Sequence, residues 1–430
     1  MIMANKIAGP RVRQSPGGTR RHDLDALRAA AMLAGIVLHG AGAFFSWSAA
    51  VTVTGAGNGG LYDELYHSIH GFRMPLFFVL SGYFSAMVIR KRGEVHFLKQ
   101  RAARVLLPLI LFGALLIPLI DLIVDRLADP GFVPSSLFTL HHLWFLWLLW
   151  NFAFAYAVVG AGVRWLNQRI GSTSDRGPLS ILNRRSPSTV ASHFTAIRAL
   201  SIIAILSGTA GTQVVMELTS GQRLIGPEIQ TGLLMAKPLV IYYLLFFLVG
   251  TLSYRSEAQP GPSYIDHLRL IWKPVLAFTV VVVLPAAFLT TFQPNVSRVL
   301  AGLVQGVYAW GMIIGLTGLF GAIFATERRW VRYVSDSSYW LYLIHLPMLF
   351  VGHRLVQDWS VPHIVSFSVT LLVTVALGLI TYELGVRHSF VGHLLNGRRP
   401  LRGEPAPASE ALAATRPVRP RAVAASTGVR

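Results

Sequence analysis

The feature that most constrains the fold of this chain is a series of long apolar segments separated by short polar ones. Ten such segments lie at about 26–47, 71–89, 105–120, 143–163, 199–216, 238–254, 274–293, 299–325, 333–352 and 363–385. A helix needs about 20 mainly apolar residues to cross the hydrocarbon core of a bilayer. The sequence therefore predicts an all-α, polytopic integral membrane bundle of about ten transmembrane helices.

The composition agrees with a membrane protein. Only 13% of the 430 residues are charged and 53% are hydrophobic, whereas soluble domains carry about 25% charged residues. This balance excludes a disordered chain and argues against a soluble enzyme. The chain has no cysteine, which excludes disulfides, thiolate metal sites and a cysteine nucleophile.

The positive charges predict the orientation of the bundle. The formal net charge is +19, with 38 lysines and arginines against 19 acidic residues. If the N-terminus is cytoplasmic, 32 of the 38 fall on the cytoplasmic side, as the positive-inside rule requires. Both termini are then cytoplasmic, and no nucleic-acid partner is needed to explain the basic balance.

The polar ends of the chain predict the domain boundaries. Residues 1–22 are basic and lack the apolar core of a cleavable signal peptide, so we expect a disordered cytoplasmic tail. Residues 399–430 are mostly Ala, Pro and Arg and cannot bury a core. The membrane domain is predicted over 23–398, with a flexible connector at 167–192.

Polar residues deep in a bilayer are costly and therefore point to function. Of the 14 histidines, we expect His39 and His345 to lie deep. His39 follows Arg28 by eleven residues, a rise of about 16.5 Å in a core of about 30 Å. Three helical turns place both side chains, and nearly Asp25, on one face. A membrane histidine can also simply bond helices together, so a structural role for His345 stays open.

Four stretches resemble signatures of the membrane acyltransferase 3 family. They are Arg28, ten residues, then His39; "FFVLSG" in Gly71–Phe84; Arg101, Arg104 and Pro108 as RxxRxxxP; and "SYWLYLIHLP" ending at Pro347 as SYxxYLxHxP. "HHLWFLW" (141–147), "YYLLFFLVG" (242–250) and the stretch 382–400 are most similar to the family's periplasmic glucan succinyltransferase branch.

The resemblance implies a multi-pass O-acyltransferase of the bacterial inner membrane. Such an enzyme moves an acyl group from cytoplasmic acyl-CoA to a hydroxyl of an extracytoplasmic carbohydrate, which is a periplasmic glucan in that branch. Succinyl-CoA or acetyl-CoA would be a co-substrate, and no tightly bound cofactor or metal is expected. The acyl group and the acceptor sugar stay open, as does the oligomeric state, a homodimer included.

Motif positions assign expected roles to individual residues. His39 is expected to be the general base, because imidazole titrates near neutral pH; direct attack and an acyl-histidine intermediate both remain open. We expect donor binding by Arg28, Arg101, Arg104 and Ser81, acceptor or acyl-group binding by His70, Arg73, His142, Trp144 and His345, and support from Asp25 and Tyr339.

Two other functions compete with acyl transfer. Ten helices with midplane histidines also describe a proton-coupled transporter or flippase, although no inverted repeat is visible in the sequence. A non-catalytic membrane scaffold would leave the alignment of Arg28 with His39 unexplained. Ester formation from labelled acyl-CoA distinguishes the enzyme from both.

Overall fold

The computed structural model describes residues 21–42, 60–127, 139–171, 187–257 and 264–396. Within these ranges the chain is helical, apart from turns and one isolated bridge between Thr139 and Gly232. The helices are α1 (His22–Gly42), α2 (Leu61–Arg92), α3 (Glu94–Arg101), α4 (Leu107–Leu127), α5 (Trp144–Gly171), α6 (Pro187–Thr219), α7 (Lys237–Glu257), α8 (Tyr264–Phe278), α9 (Leu284–Phe292), α10 (Arg298–Ile323), α11 (Arg329–Val356), α12 (His363–Thr381) and α13 (Phe390–Asn396). π-helical turns join α3 to α4, α8 to α9, and continue α12.

The predicted all-α membrane class is confirmed. Eight stretches of the described chain are long and apolar enough to span a bilayer: His22–Gly42, Leu61–Arg92, Glu94–Arg126, His141–Ile170, Lys237–Glu257, Leu270–Phe292, Arg298–Ile323 and His363–Val386. The other two predicted spans, 199–216 and 333–352, lie in α6 and α11, which are 33 and 28 residues long. Helix α11 is less apolar because it buries three serines and two histidines.

Small residues bring α2 and α7 into close contact. A Cβ atom at Gly82 would collide with the carbonyl of Phe247, and one at Gly250 would collide with the carbonyl of Val79. Glycine at both positions lets the two backbones approach, which is a common way to pack helices in a bilayer. Helices α1 and α10 also pack against α2.

The centre of the bundle is formed where α1 meets α2, α10, α11 and α12. Outward-facing residues of α4 and α12, such as Leu115 and Leu372, are 62% and 70% exposed, as expected for lipid-facing positions. Nearly all of the predicted tail 1–22, most of the connector 167–192 and the tail 399–430 lie outside the described residues.

Helix α2 begins earlier than the apolar pattern indicates. It starts at Leu61, ten residues before the predicted span at 71, because its first turns carry polar side chains that still pack inside the bundle, among them His67 at 1% exposure. Arg73, expected at the rim of the bundle, therefore lies three turns inside α2. That shift brings the guanidinium to the level of His39.

Candidate active site

One face of α1 lines the centre of the bundle. Arg28, Met32, Gly35 and His39 follow one another at intervals of three or four residues, so they share that face. The imidazole of His39 lies beside that of His345 on α11, with ring centroids 5.2 Å apart. The two histidines are thus in contact, but of the two only His39 lines the cavity described below, so the prediction that both border one cavity holds for His39 alone.

Arg73 faces the same space from α2. Its guanidinium lies against Gly35 of α1, where any Cβ would collide with Nη1. Nε of Arg73 is buried without a hydrogen-bond partner, and no described residue forms an ion pair with this side chain. A buried cation with no anion is costly, so this position is suited to an anionic ligand.

His142 is the third histidine of the centre. It was expected at the mouth, but it is only 5% exposed and its ring lies 5.2 Å from that of His345 in an edge-on arrangement. His39 and His345 are therefore not the only deep histidines among the described residues. We call His39, His142 and His345 the histidine cluster.

A proline in α11 explains why His142 docks there. Pro347 has no N–H, so the carbonyl of Leu343, four residues earlier, lacks its helical partner. His142 Nε2 donates to this carbonyl at 3.0 Å. The hydroxyl of Tyr342 in turn donates to the carbonyl of His142 at 2.7 Å. The SYxxYLxHxP motif thus builds the contact that holds the start of α5.

Two members of the histidine cluster, His39 and His142, border a cavity of about 70 Å³, and His345 contacts both of their rings. Its wall contains His39, Met32 and Leu38 of α1, Tyr66, His70, Arg73, Met74 and Phe77 of α2, His142, Trp144 and Phe145, the segment 228–230, Tyr243 and Tyr342. Tyr66 stacks on His70 with ring centroids 5.7 Å apart, and Trp144 stacks on Tyr243 at 5.5 Å. The cavity therefore has aromatic walls around one cation and several imidazoles.

Residues 220–236, which we call the capping loop, cover one end of the cavity. His70 Nδ1 contacts the carbonyl of Ile225 at 3.1 Å. Gln305 of α10 anchors the loop, because its Oε1 accepts from the Gly226 N–H at 3.0 Å. The Nε2 of Gln305 donates to Glu217 and to Thr291 at 3.0 and 2.9 Å. This buried network fixes the loop over the cavity.

The capping loop also supplies a carboxylate that sequence reasoning missed. Glu228 lines the cavity and accepts from Gln230 Nε2 at 2.8 Å. Partial burial raises the pKa of Glu228 above its ordinary value. The only available signal was its presence among just 19 acidic residues, in a loop that the charge pattern places outside.

The predicted donor-binding arginines gather at the other end of α1. Arg28 Nη2 lies 3.8 Å from Asp25 Oδ1 and 3.4 Å from Ser335 Oγ. Arg101 lies close enough to Arg28 and Arg104 for their charges to interact. We call Arg28, Arg101 and Arg104 the basic cluster. Because Asp25 is a single carboxylate beside three like charges, this arrangement favours a further anion.

Helix α11 joins the two ends. Tyr339 OH donates to the carbonyl of Arg104 at 2.9 Å. Pro108, four residues after Arg104, has no N–H to donate to that carbonyl, just as Pro347 has none for the carbonyl of Leu343. The ring centroids of Tyr339 and Tyr342 are 6.3 Å apart, and those of Tyr342 and His345 are 6.2 Å apart. An aromatic row therefore leads from the basic cluster to the histidine cluster.

Ser81 does not touch the predicted donor site. Its carbonyl accepts from Ser85 Oγ at 2.7 Å, and it is Ser85 that receives Arg101 Nη2 at 3.3 Å. Ser85 was missed because it lies one turn beyond the FFxLSG match. Ser81 shares a helix face with Arg73 and Phe77, between the basic cluster and the cavity.

An ion-pair group beside the basic cluster was also missed. Arg21 binds Asp23 at 2.9 Å and pairs with Glu257 at the end of α7, and Tyr83 donates to that carboxylate. Burial alone would lower the pKa of the Arg21 guanidinium, but the hydrogen bond and charges of Asp23 and Glu257 raise it. The group ties α1, α2 and α7 together. Within the described ranges, no three His, Cys, Asp or Glu side chains are placed to hold a metal ion.

Comparison with known proteins identifies the family. The model of the acyltransferase 3 family, described as "Acyltransferase domain", matches residues 21–383. The chain belongs to the acyltransferase 3 family. The match includes every residue of the histidine cluster, the basic cluster and the capping loop, so this acyltransferase 3 protein is a membrane acyltransferase.

Curated relatives cover nearly the whole acyltransferase 3 chain. Glucans biosynthesis protein C of Salmonella typhi is 24% identical over 399 residues, covering 90% of this chain and 97% of the relative. The protein of the same name from Escherichia coli O139:H28 is 25% identical over 409 residues, covering 88% and 95%. No solved structure matches the chain.

Proposed function

We propose that this protein is an O-acyltransferase that moves an acyl group from cytoplasmic acyl-CoA to a hydroxyl of an extracytoplasmic carbohydrate. The observation that carries the proposal is the position of His39. It lines a cavity with aromatic and polar walls under the capping loop, and the basic cluster lies three helical turns away along the same face of α1. A periplasmic glucan is the proposed acceptor, because the relatives are named for glucan biosynthesis.

The proposed topology has ten spans with both termini in the cytoplasm of a bacterial inner membrane. The eight apolar stretches are completed by α6 and α11, whose lengths of 33 and 28 residues exceed what a bilayer needs. The charge pattern then puts the basic cluster at the cytoplasmic face and the capping loop outside. Donor and acceptor would thus enter from opposite ends.

The basic cluster is suited to the phosphates of coenzyme A. Arginine forks bind phosphate and pyrophosphate in a bidentate manner, and Arg101 Nε is buried without a partner among the described residues. From there the thin pantetheine arm would follow α1 and the aromatic row of α11. The rise from Arg28 to His39 is about 16.5 Å.

His39 is the proposed general base. Its lone-pair nitrogen takes the proton of the sugar hydroxyl as the hydroxyl oxygen forms a bond to the thioester carbonyl carbon. The carbon–sulfur bond breaks, its electron pair leaves with sulfur, and the imidazolium returns the proton to give the free thiol. An acyl-histidine intermediate is the variant, and an acyl-enzyme trapped with donor alone would establish it.

Arg73 is proposed to bind the acyl group. Its position opposite Gly35 and near His39 would let it receive the far carboxylate of a dicarboxylic acyl group, which favours succinyl over acetyl. The stacked pairs Tyr66–His70 and Trp144–Tyr243 lie beside it. Such aromatic faces, with the polar side chains of the mouth, are proposed to receive the sugar.

The test uses purified protein, labelled succinyl-CoA or acetyl-CoA, and a periplasmic glucan oligosaccharide. Wild type and His388→Ala, a change at an exposed histidine, should both form the glucan ester, whereas His39→Ala should not. Equal ester formation by His39→Ala would remove its role. Movement of the oligosaccharide across proteoliposomes without ester formation would favour the transporter.

A further inference from the structure

The protonation of His345 can be assigned from its surroundings. Nδ1 of His345 lies 2.7 Å from the carbonyl of Tyr342, and a carbonyl can only accept. Nδ1 therefore carries the hydrogen of the neutral ring, and Nε2 carries the lone pair. That Nε2 is buried and has no hydrogen-bond partner in the described part of the chain.

His142 is assigned in the same way. Its Nε2 donates to the carbonyl of Leu343, so its lone pair is on Nδ1. This Nδ1 is also buried and unpartnered among the residues described. Two buried acceptors in one cluster thus lack a donor, and a buried polar group without a partner costs roughly 1–3 kcal/mol.

The one neighbouring imidazole without a fixed partner is His39. It makes no hydrogen bond with any described residue, and its ring is 5.2 Å from that of His345. A rotation of the imidazole at this distance can bring an N–H of His39 to His345 Nε2. Neutral imidazole has only one N–H, so the other nitrogen of His39 would then point its lone pair at the substrate.

We propose that His345 is the positioning residue for the His39 base, accepting the N–H of His39 on its own Nε2. His345 does not touch the reacting atoms and does not change its own protonation. It selects the tautomer of His39 whose free nitrogen faces the sugar hydroxyl, and it keeps that hydrogen bond when His39 becomes an imidazolium.

A neutral positioning group suits this cavity. Arg73 already contributes a cation near His39, and among the described residues the one carboxylate on the cavity wall, Glu228, lies in the capping loop. The hydrogen-bonded rings of His345 and His142 supply acceptor atoms without a second buried charge, whose desolvation would cost several kcal/mol.

The test compares three substitutions of one residue in the purified full chain. In His345→Gln the side-chain carbonyl can occupy the place of Nε2 and accept from His39. In His345→Asn the amide reaches only the place of Nδ1, so it keeps the bond to Tyr342 but loses the acceptor. His345→Leu has neither. A thermal melt of each variant reports folding.

The role of His345 rests on the proposed function, so ester formation by wild type is measured first. We expect kcat to fall less than about tenfold in His345→Gln and about 100-fold in His345→Asn and His345→Leu, with unchanged KM for both substrates. A purely structural role through Tyr342 predicts the reverse order, Asn above Gln, and that order would overturn the proposal. Equal activity of all three variants would also overturn it. Absence of ester formation by wild type would instead defeat the proposed function, and the role of His345 with it.

Discussion

At the residue scale, Arg73 carries the most information about the transferred group. Its guanidinium lies in the cavity wall beside Gly35, and no carboxylate of the described chain pairs with it. A charged hydrogen bond to a substrate carboxylate would be worth about 1.5–3 kcal/mol. A neutral acetyl group could not form this bond, so Arg73 should make the enzyme prefer succinyl-CoA over acetyl-CoA.

We therefore expect Arg73→Gln to lower kcat/KM for succinyl transfer by about 10- to 100-fold, as that energy range implies. Acetyl transfer should change far less. The two donors are supplied together and the esters are separated by mass. An equal loss of kcat/KM with both donors would show that Arg73 stabilises the site but does not contact the acyl group.

The basic cluster allows a second residue-scale prediction. Arg101→Gln should raise KM for succinyl-CoA about tenfold, because one charged contact to phosphate is lost. It should leave the KM for succinyl-pantetheine unchanged, because this donor lacks the nucleotide phosphates. Arg329→Ala, at an exposed arginine near the start of α11, is the matched control. A raised KM for both donors would contradict phosphate binding by Arg101.

At the element scale, α11 lacks one helical hydrogen bond, and the carbonyl left without it binds a side chain from another element. Pro347 interrupts its hydrogen bonding, which costs about 3 kcal/mol in a helix interior, and the freed carbonyl of Leu343 receives His142. The same arrangement joins Pro108, Arg104 and Tyr339. Both motif prolines thus create acceptors for side chains from other elements.

Pro347→Ala should raise the melting temperature and lower kcat. The new N–H competes with His142 for the Leu343 carbonyl, so the helix gains a bond while the histidine cluster loses its anchor. Pro118→Ala in α4, a lipid-facing proline, should raise stability without loss of activity. A Pro347→Ala protein that is both more stable and fully active would disprove the link.

The anchor of the capping loop is a separate element-scale feature. Gln305→Leu removes four buried hydrogen bonds and leaves Glu217 and the Gly226 N–H without their partner. We expect a less stable protein with a several-fold higher KM for the glucan and an unchanged KM for the donor. Steady-state kinetics with each substrate varied in turn measure both KM values. A rise in the donor KM alone would contradict a role of the capping loop in acceptor binding.

Part of this site follows directly from the sequence. The length of apolar segments predicts the membrane helices, and the helical period places Asp25, Arg28 and His39 on one face. The period cannot place His142, because its position depends on a carbonyl about 200 residues away. The apolar pattern also misplaces Arg73. The first turns of α2 are polar and therefore resemble a loop in the sequence, whereas in the structure the capping loop and α9 cover them.

At the scale of the whole molecule, the two ends of the helix bundle differ in charge and should face opposite compartments. The basic cluster and the basic last turn of α2, with Arg90, Lys91 and Arg92, lie at one end, and the capping loop lies at the other. Because the chain has no cysteine, single cysteines can report this orientation without any background to remove.

Leu234→Cys, in the capping loop at 97% exposure, should react in intact cells with a maleimide that cannot cross the inner membrane. Lys91→Cys, exposed at the end of α2, should react only after the cells are opened. Labelling is read on a gel of the purified protein. The opposite pattern would invert the proposed topology, and with it the sides from which donor and acceptor enter.

The carbonyl freed by Pro347 has a consequence for how this family can change over time. A chain that replaced this proline would regain a helical N–H and no longer need an imidazole opposite Leu343. A chain that first lost the histidine would carry an unsatisfied carbonyl in its core. The first change stabilises the helix but costs activity, and the second destabilises the core, so positions 142 and 347 should be inherited as a pair, and related chains that lack one should lack the other.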